Sequence, residues 1–87
     1  MHINQLVILV EKKIKEAVNL EQIFIEDKSF LHKNHKGNDK DKFHLKITVK
    51  SKKLKSLSKI EANKIIYKSI SDELKTHIHS IQLSINQ

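Results

Sequence analysis

Apolar positions along the chain change period several times, and each period predicts an element. Ile3, Leu6, Val7, Val10, Ile14 and Val18 recur at helical spacing, with Lys12, Lys13, Lys15 and Glu16 between them. That pattern is an amphipathic first helix ending near Asn19. Ile23, Phe24 and Ile25, bounded by Asn19 and by Asp27-Lys28-Ser29, read as a first strand over residues 22–27. Residues 28–42 are polar and hold the only glycine, Gly37, which predicts a long loop of the kind that often carries function. Phe43, Leu45, Ile47 and Val49 then alternate with His44, Lys46, Thr48 and Lys50, a strand with one apolar face.

The second half continues in the same way. Ser58-Lys59-Ile60-Glu61 has capping-box form, each side chain serving the other's backbone donor, and Ala62, Ile66, Ile70 and Leu74 follow at four-residue spacing. A second helix is therefore expected to run to about Lys75. His77, Ile78 and His79 lead into a third strand in which Ile81, Leu83 and Ile85 alternate with Gln82 and Ser84. The order is helix, strand, strand, helix, strand. Its last helix is a crossover that makes the third strand parallel to the second and covers one sheet face. The expected fold class is α+β, a three-stranded mixed sheet with helices on one face, in one domain over residues 1–87.

Composition narrows the chemistry. An 87-residue chain has room for one small core and no deep interdomain cleft. Without cysteine it offers no disulfide, no thiol nucleophile and no thiolate, so any metal chemistry runs through histidine, carboxylates or a partner's ligands. The run Leu6 to Val10 is too short to span a membrane and has neither basic leader nor cleavage site, which predicts a cytoplasmic protein. No phosphate-cradling glycine loop, nucleophile elbow or metalloprotease motif occurs, and the chain is read as non-enzymatic.

The formal charge is +7, and eleven lysines stand between Lys28 and Lys59 against Asp39 and Asp41 alone. Lys46, Lys50, Lys52, Lys53, Lys55 and Lys59 are positioned to track a phosphate backbone, but every basic residue is lysine, which lacks the two-pronged grip of arginine. Few aromatics are present for stacking, and no Gly-x-x-Gly loop clamps nucleotides. Binding to nucleic acid is expected to be weak and salt-sensitive.

Asp27-x-Ser29, His32-Lys33-Asn34-His35, and Phe43 opening a strand that ends in Val49-Lys50-Ser51 resemble the first half of BolA-like proteins. Tyr67, Asp72-Glu73-Leu74 and Ile78-His79-Ser80-Ile81 are similar to the family's closing helix and its histidine-containing motif. The likeness spans roughly residues 20–85. Three places depart from it: Asp41-Lys42-Phe43 stands where the family usually has Ser-His-Phe, Ala62-Asn63-Lys64 where it has Arg-His-Arg, and Leu54-Lys55-Ser56 where it often has Phe-x-Gly.

The resemblance implies a KH-like fold of the helix-first type (class II). It also implies pairing with a monothiol glutaredoxin, a monomer alone becoming a heterodimer that shares a [2Fe-2S] cluster with the partner and its glutathione in cluster trafficking or iron sensing. Some members are also described as DNA-binding regulators. On this reading His79 is a cluster ligand, and the second ligand is a loop histidine, His32 ahead of His35 by alignment.

Each histidine also has a plainer reading. The odd parity that His79 shares with Ile81 and Leu83 points it at the buried sheet face, as a half-buried capping residue. His32 and His35 suit a solvated loop, and with Asp39 or Asp41 they match no standard zinc spacing. His44 and Lys46 belong on a solvated strand face, His77 at a solvent-facing helix end, and His2 in a frayed terminus. Tyr67 is a core candidate.

Overall fold

The computed structural model describes residues 2–29 and 42–86. Helix α1 (Ile3–Ala17) leads into β1 (Gln22–Asp27), and β2 (Phe43–Lys50) follows. A short α2 (Lys52–Lys55), α3 (Lys59–Ser69) and α4 (Ser71–Thr76) then precede β3 (Ile78–Asn86). The sheet order is β1-β2-β3, antiparallel between the first pair and parallel between the second. The helical connection supplies the crossover that a parallel pair requires.

Among the described residues, one face of the sheet is covered and the other is not. Leu45, Ile47 and Val49 of β2 are buried against Leu6, Val10 and Ile14 of α1 and against Ala62, Ile66 and Ile70, in a single aliphatic cluster. The alternating partners Lys46 and Thr48 are half-buried and Lys50 is exposed. Burial of these branched side chains is the main favourable term in folding a chain this small.

Several local expectations are corrected. The second helix is not continuous. Ile70, at φ −120° and ψ 27°, ends α3 and opens α4, yet remains fully buried. The break turns the axis while keeping the apolar row against the sheet, so spacing alone cannot reveal it. Helix α2 was not expected. Buried Ser51 caps it, accepting from Leu54 N at 3.1 Å while donating to Asn19 O at 2.7 Å, which ties the helix to the α1–β1 connection.

At Ser58 the hydroxyl accepts from Glu61 N as expected, but Glu61 Oε1 accepts from that hydroxyl rather than from the Ser58 backbone. His2 is not frayed. Its Nδ1 accepts from Asn4 N at 3.2 Å, and Gln5 Oε1 accepts from His2 N, so it caps α1. Tyr67 is exposed rather than in the core.

Far from these caps, Lys13 of α1 donates to Glu73 Oε2 of α4 at 2.7 Å. Glu73 is buried and its Oε1 has no hydrogen-bond partner among the described residues. That hydrogen bond, with the attraction of the carboxylate, raises the Lys13 ammonium above its ordinary value.

Candidate functional site

The chemistry-bearing side chains gather where β2 and β3 begin. The pair is in regular register from Leu45↔Ile81 to Lys50↔Asn86, but Phe43 faces Ile78 while His44 faces Ser80. His79 is therefore an extra residue on β3, a bulge that resets the alternation. Ile78 is buried on the core face with Leu45, and Ile81 packs on that same face. His79 is released from it and is exposed. Parity counted back from Ile81 gives the wrong face because it assumes no inserted residue.

His44 is also misplaced by simple alternation. It sits on the open face, yet is only 5% exposed. The His79 ring covers it at a centroid distance of 4.7 Å and an interplanar angle of 50°. Its Nδ1 shares a 2.7 Å hydrogen bond with Ser80 Oγ. His44 N donates to Ser29 Oγ at 3.0 Å, and His44 O accepts from Lys28 N at 2.7 Å. The backbone on both sides of the ring is thus held, and buried polar groups held in this way are rigid.

Those bonds also fix where the polar segment attaches. Asp27 Oδ1 accepts from Ser29 N at 2.9 Å in a local turn, and Phe43 N donates to His77 O at 2.8 Å. Ser29 and Phe43, between which the segment runs, are thus both anchored beside the histidine pair. His32, His35, Asp39 and Asp41 lie outside the described residues. His77, half-buried, ends α4 with its Nδ1 2.6 Å from Thr76 Oγ1, not facing solvent freely.

Among the described residues, His79 makes no hydrogen bond through its ring nitrogens. An exposed imidazole of this kind is available to a ligand, and a ring packed against a fixed neighbour has less rotamer freedom to lose on binding. No cluster of three or more His, Cys, Asp or Glu able to hold a metal ion exists among the described residues. Any metal that met His79 would need its other donors from outside the described residues.

Lys46 and Lys50 lie on the open sheet face, while Lys52, Lys53, Lys55 and Lys59 stand on α2 and the start of α3, exposed. No described helix is long and apolar enough to cross a membrane.

Sequence reasoning missed His44 and the bulge. The signal was present: Ile78 to Ile81 is a step of three in a strand whose later apolar residues step by two.

Known proteins resemble the chain in both sequence and architecture. The chain is 27% identical over 77 residues to the "DNA-binding transcriptional regulator BolA" of Haemophilus influenzae, covering 88% of this chain and 72% of that protein. It is 23% identical over 77 residues to "Protein BOLA1, chloroplastic" of Arabidopsis thaliana, covering 85% and 48% respectively. Among solved structures, the BolA domain of SufE1 from Arabidopsis thaliana matches with a TM-score of 0.75 at 20% identity, over 99% of this chain and 93% of that one. BolA1 from the same plant matches at 0.73 with 22% identity, over 88% and 85%. These likenesses establish the helix-and-mixed-sheet fold expected from the sequence. The family model for BolA-like protein matches residues 14–87, and the chain belongs to the BolA-like family.

Proposed function

We propose that this chain is a non-catalytic partner protein that docks on a monothiol glutaredoxin and presents His79 to one side of a shared [2Fe-2S] cluster. The second imidazole is assigned by family resemblance to His32, ahead of His35, and the partner with its glutathione supplies the thiolates. The observation that carries the reading is the imidazole exposed by the bulge at the sheet end where the histidine-bearing segment departs and returns. The donor set suits such sharing. A chain without cysteine cannot complete an iron–sulfur site, whereas an exposed histidine can complete one begun elsewhere. Histidine in place of thiolate makes a cluster easier to reduce, the chemistry such a pair would supply.

Mixing the protein with a cluster-loaded monothiol glutaredoxin should change the visible absorption and circular dichroism. His79→Ala should erase that change while its far-ultraviolet spectrum stays native. A wild-type chain that leaves the glutaredoxin spectrum untouched overturns the mechanism.

A second reading is favoured by the name of the Haemophilus influenzae relative and by the exposed lysines of α2 and α3: a nucleic-acid-binding regulator. Its affinity would fall steeply with salt, with a slope of about −0.9 per phosphate contacted in duplex DNA. Binding that survives moderate salt and prefers one sequence would favour it over the cluster reading.

A further inference from the structure

The far end of β3 carries a second feature, independent of the histidines. A cavity of about 390 Å³ opens between the α2–α3 corner and the strand. Leu54, Leu57, Leu83 and Ile85 give it a small aliphatic floor within a mostly polar lining, and Lys55 and Lys59 stand on its rim. Ser84 lines it as well. Successive side chains of a strand point to opposite faces, so a groove touched by residues 83, 84 and 85 together reaches around the strand edge. That edge has no neighbouring strand among the described residues, and an unpaired edge offers backbone donors and acceptors. From His79 to Leu83 is roughly 13 Å along the strand, too far for one small site to serve both ends.

Three kinds of macromolecule can be weighed for this groove. Nucleic acid is poorly matched, because the lining holds no aromatic residue for a base to stack on and the rim no arginine to grip a phosphate at two points. A second copy of a chain carrying +7 is repelled by like charge, with Lys55 and Lys59 at the rim. An extended acidic peptide satisfies every feature: the free edge, the aliphatic floor and the lysine rim, with no acidic side chain in the lining.

We propose that the groove and the free edge of β3 bind an extended acidic segment of a protein partner by strand addition. Side chains of the segment on the helix-covered side enter between Leu57 and Leu83, while its carboxylates are drawn in by the field of Lys55 and Lys59 at the rim. No histidine takes part, so the proposal stands or falls apart from the cluster reading.

The test uses the isotope-labelled full chain and a capped peptide alternating valine and aspartate, as long as β3. Three further probes accompany it: the same peptide with lysine for aspartate, the aspartate peptide N-methylated on its pairing edge, and an oligothymidylate. The aspartate peptide is expected to shift amide resonances of residues 54–63 and 83–86. Its Kd should rise about tenfold in Lys55→Glu/Lys59→Glu, both exposed positions, and N-methylation should abolish binding. Equal binding of the lysine or N-methylated peptide, tighter binding of the oligothymidylate at the same residues, or no shift with any peptide overturns the proposal.

Discussion

The two ends of the β2–β3 pair are built by different rules. From Leu45↔Ile81 onward the register is regular, so Leu83 and Ile85 pack on the core while Ser84 pairs across from Thr48 on the open face. At the other end one extra residue interrupts the register, burying Ile78 and releasing His79. Regularity binds a side chain's direction to its place in the sequence, and the bulge lifts that tie at the one position where an exposed imidazole results. The regular end is where the strand carries the core, and the irregular end is where it exposes an imidazole.

The largest way to break the comparison is to delete Gln82 from the regular stretch. A one-residue loss turns Leu83 and Ile85 to the open face. If the bulge absorbs the loss instead, it turns Ile81 outward and Ser80 inward. Either outcome removes aliphatic burial, and the second also buries a hydroxyl. The expected destabilisation is about 3 kcal/mol or more, read from the urea midpoint. Native stability in the deletion would mean that the register is not what holds the core together.

Next in size is His44→Ala. The buried ring fills space beneath His79 and bonds Ser80, so its removal leaves a void and a loosened neighbour. A cost of about 1 to 3 kcal/mol is expected, with a weaker optical response from the cluster-loaded partner if the ring steadies His79. His44→Phe separates the two roles, since it restores packing without the hydrogen bond to Ser80.

How much of this was legible in the sequence follows the same division. The helix rows Leu6, Val10, Ile14 and Ala62, Ile66, Ile70 are all buried as their spacing implied, and the alternation over Phe43–Lys50 gives the sheet its core face. Periodic patterns report burial against one surface, which is why they succeed there. They are silent where chain direction changes without disturbing the row, as at Ile70, and where a capped turn is too short to have a period, as in Lys52–Lys55. Family resemblance singled out His79, but it carried no information about the ring beneath it. The Lys13–Glu73 pair joins residues 60 apart, and nothing local announces it.

That pair yields the third effect, smaller because water reaches the ammonium. The folded state holds the Lys13 proton more tightly than the unfolded chain does. Its contribution is therefore complete below the ordinary value of 10.5 and fades as pH rises through the raised value of the folded state. Lys13→Gln should be less stable than wild type at neutral pH, and the gap between their thermal midpoints should narrow above about pH 10.5. A gap that stays constant into alkaline solution would mean that the amine acts through packing of its stem rather than through charge. Lys13→Met/Glu73→Leu sharpens the point: with the buried carboxylate gone as well, stability should recover beyond the single variant.

The smallest effect on stability belongs to the residue with the largest proposed effect on function. His79 is exposed and buries no apolar surface of the core, so His79→Ala should shift the unfolding free energy by no more than about 0.5 kcal/mol. Deleting His79 is the more searching version. Ile78 would then be followed directly by Ser80 and Ile81, which is the unbroken alternation that the pairing of Phe43 with Ile78, His44 with Ser80 and Leu45 with Ile81 already demands. Each core side chain keeps its face, in contrast to the deletion of Gln82 only three positions along. The chain lacking His79 should still unfold in one cooperative transition and lose its response to the cluster-loaded glutaredoxin. If it fails to fold, the extra residue is needed by the sheet itself, and the bulge can no longer be assigned to presenting an imidazole.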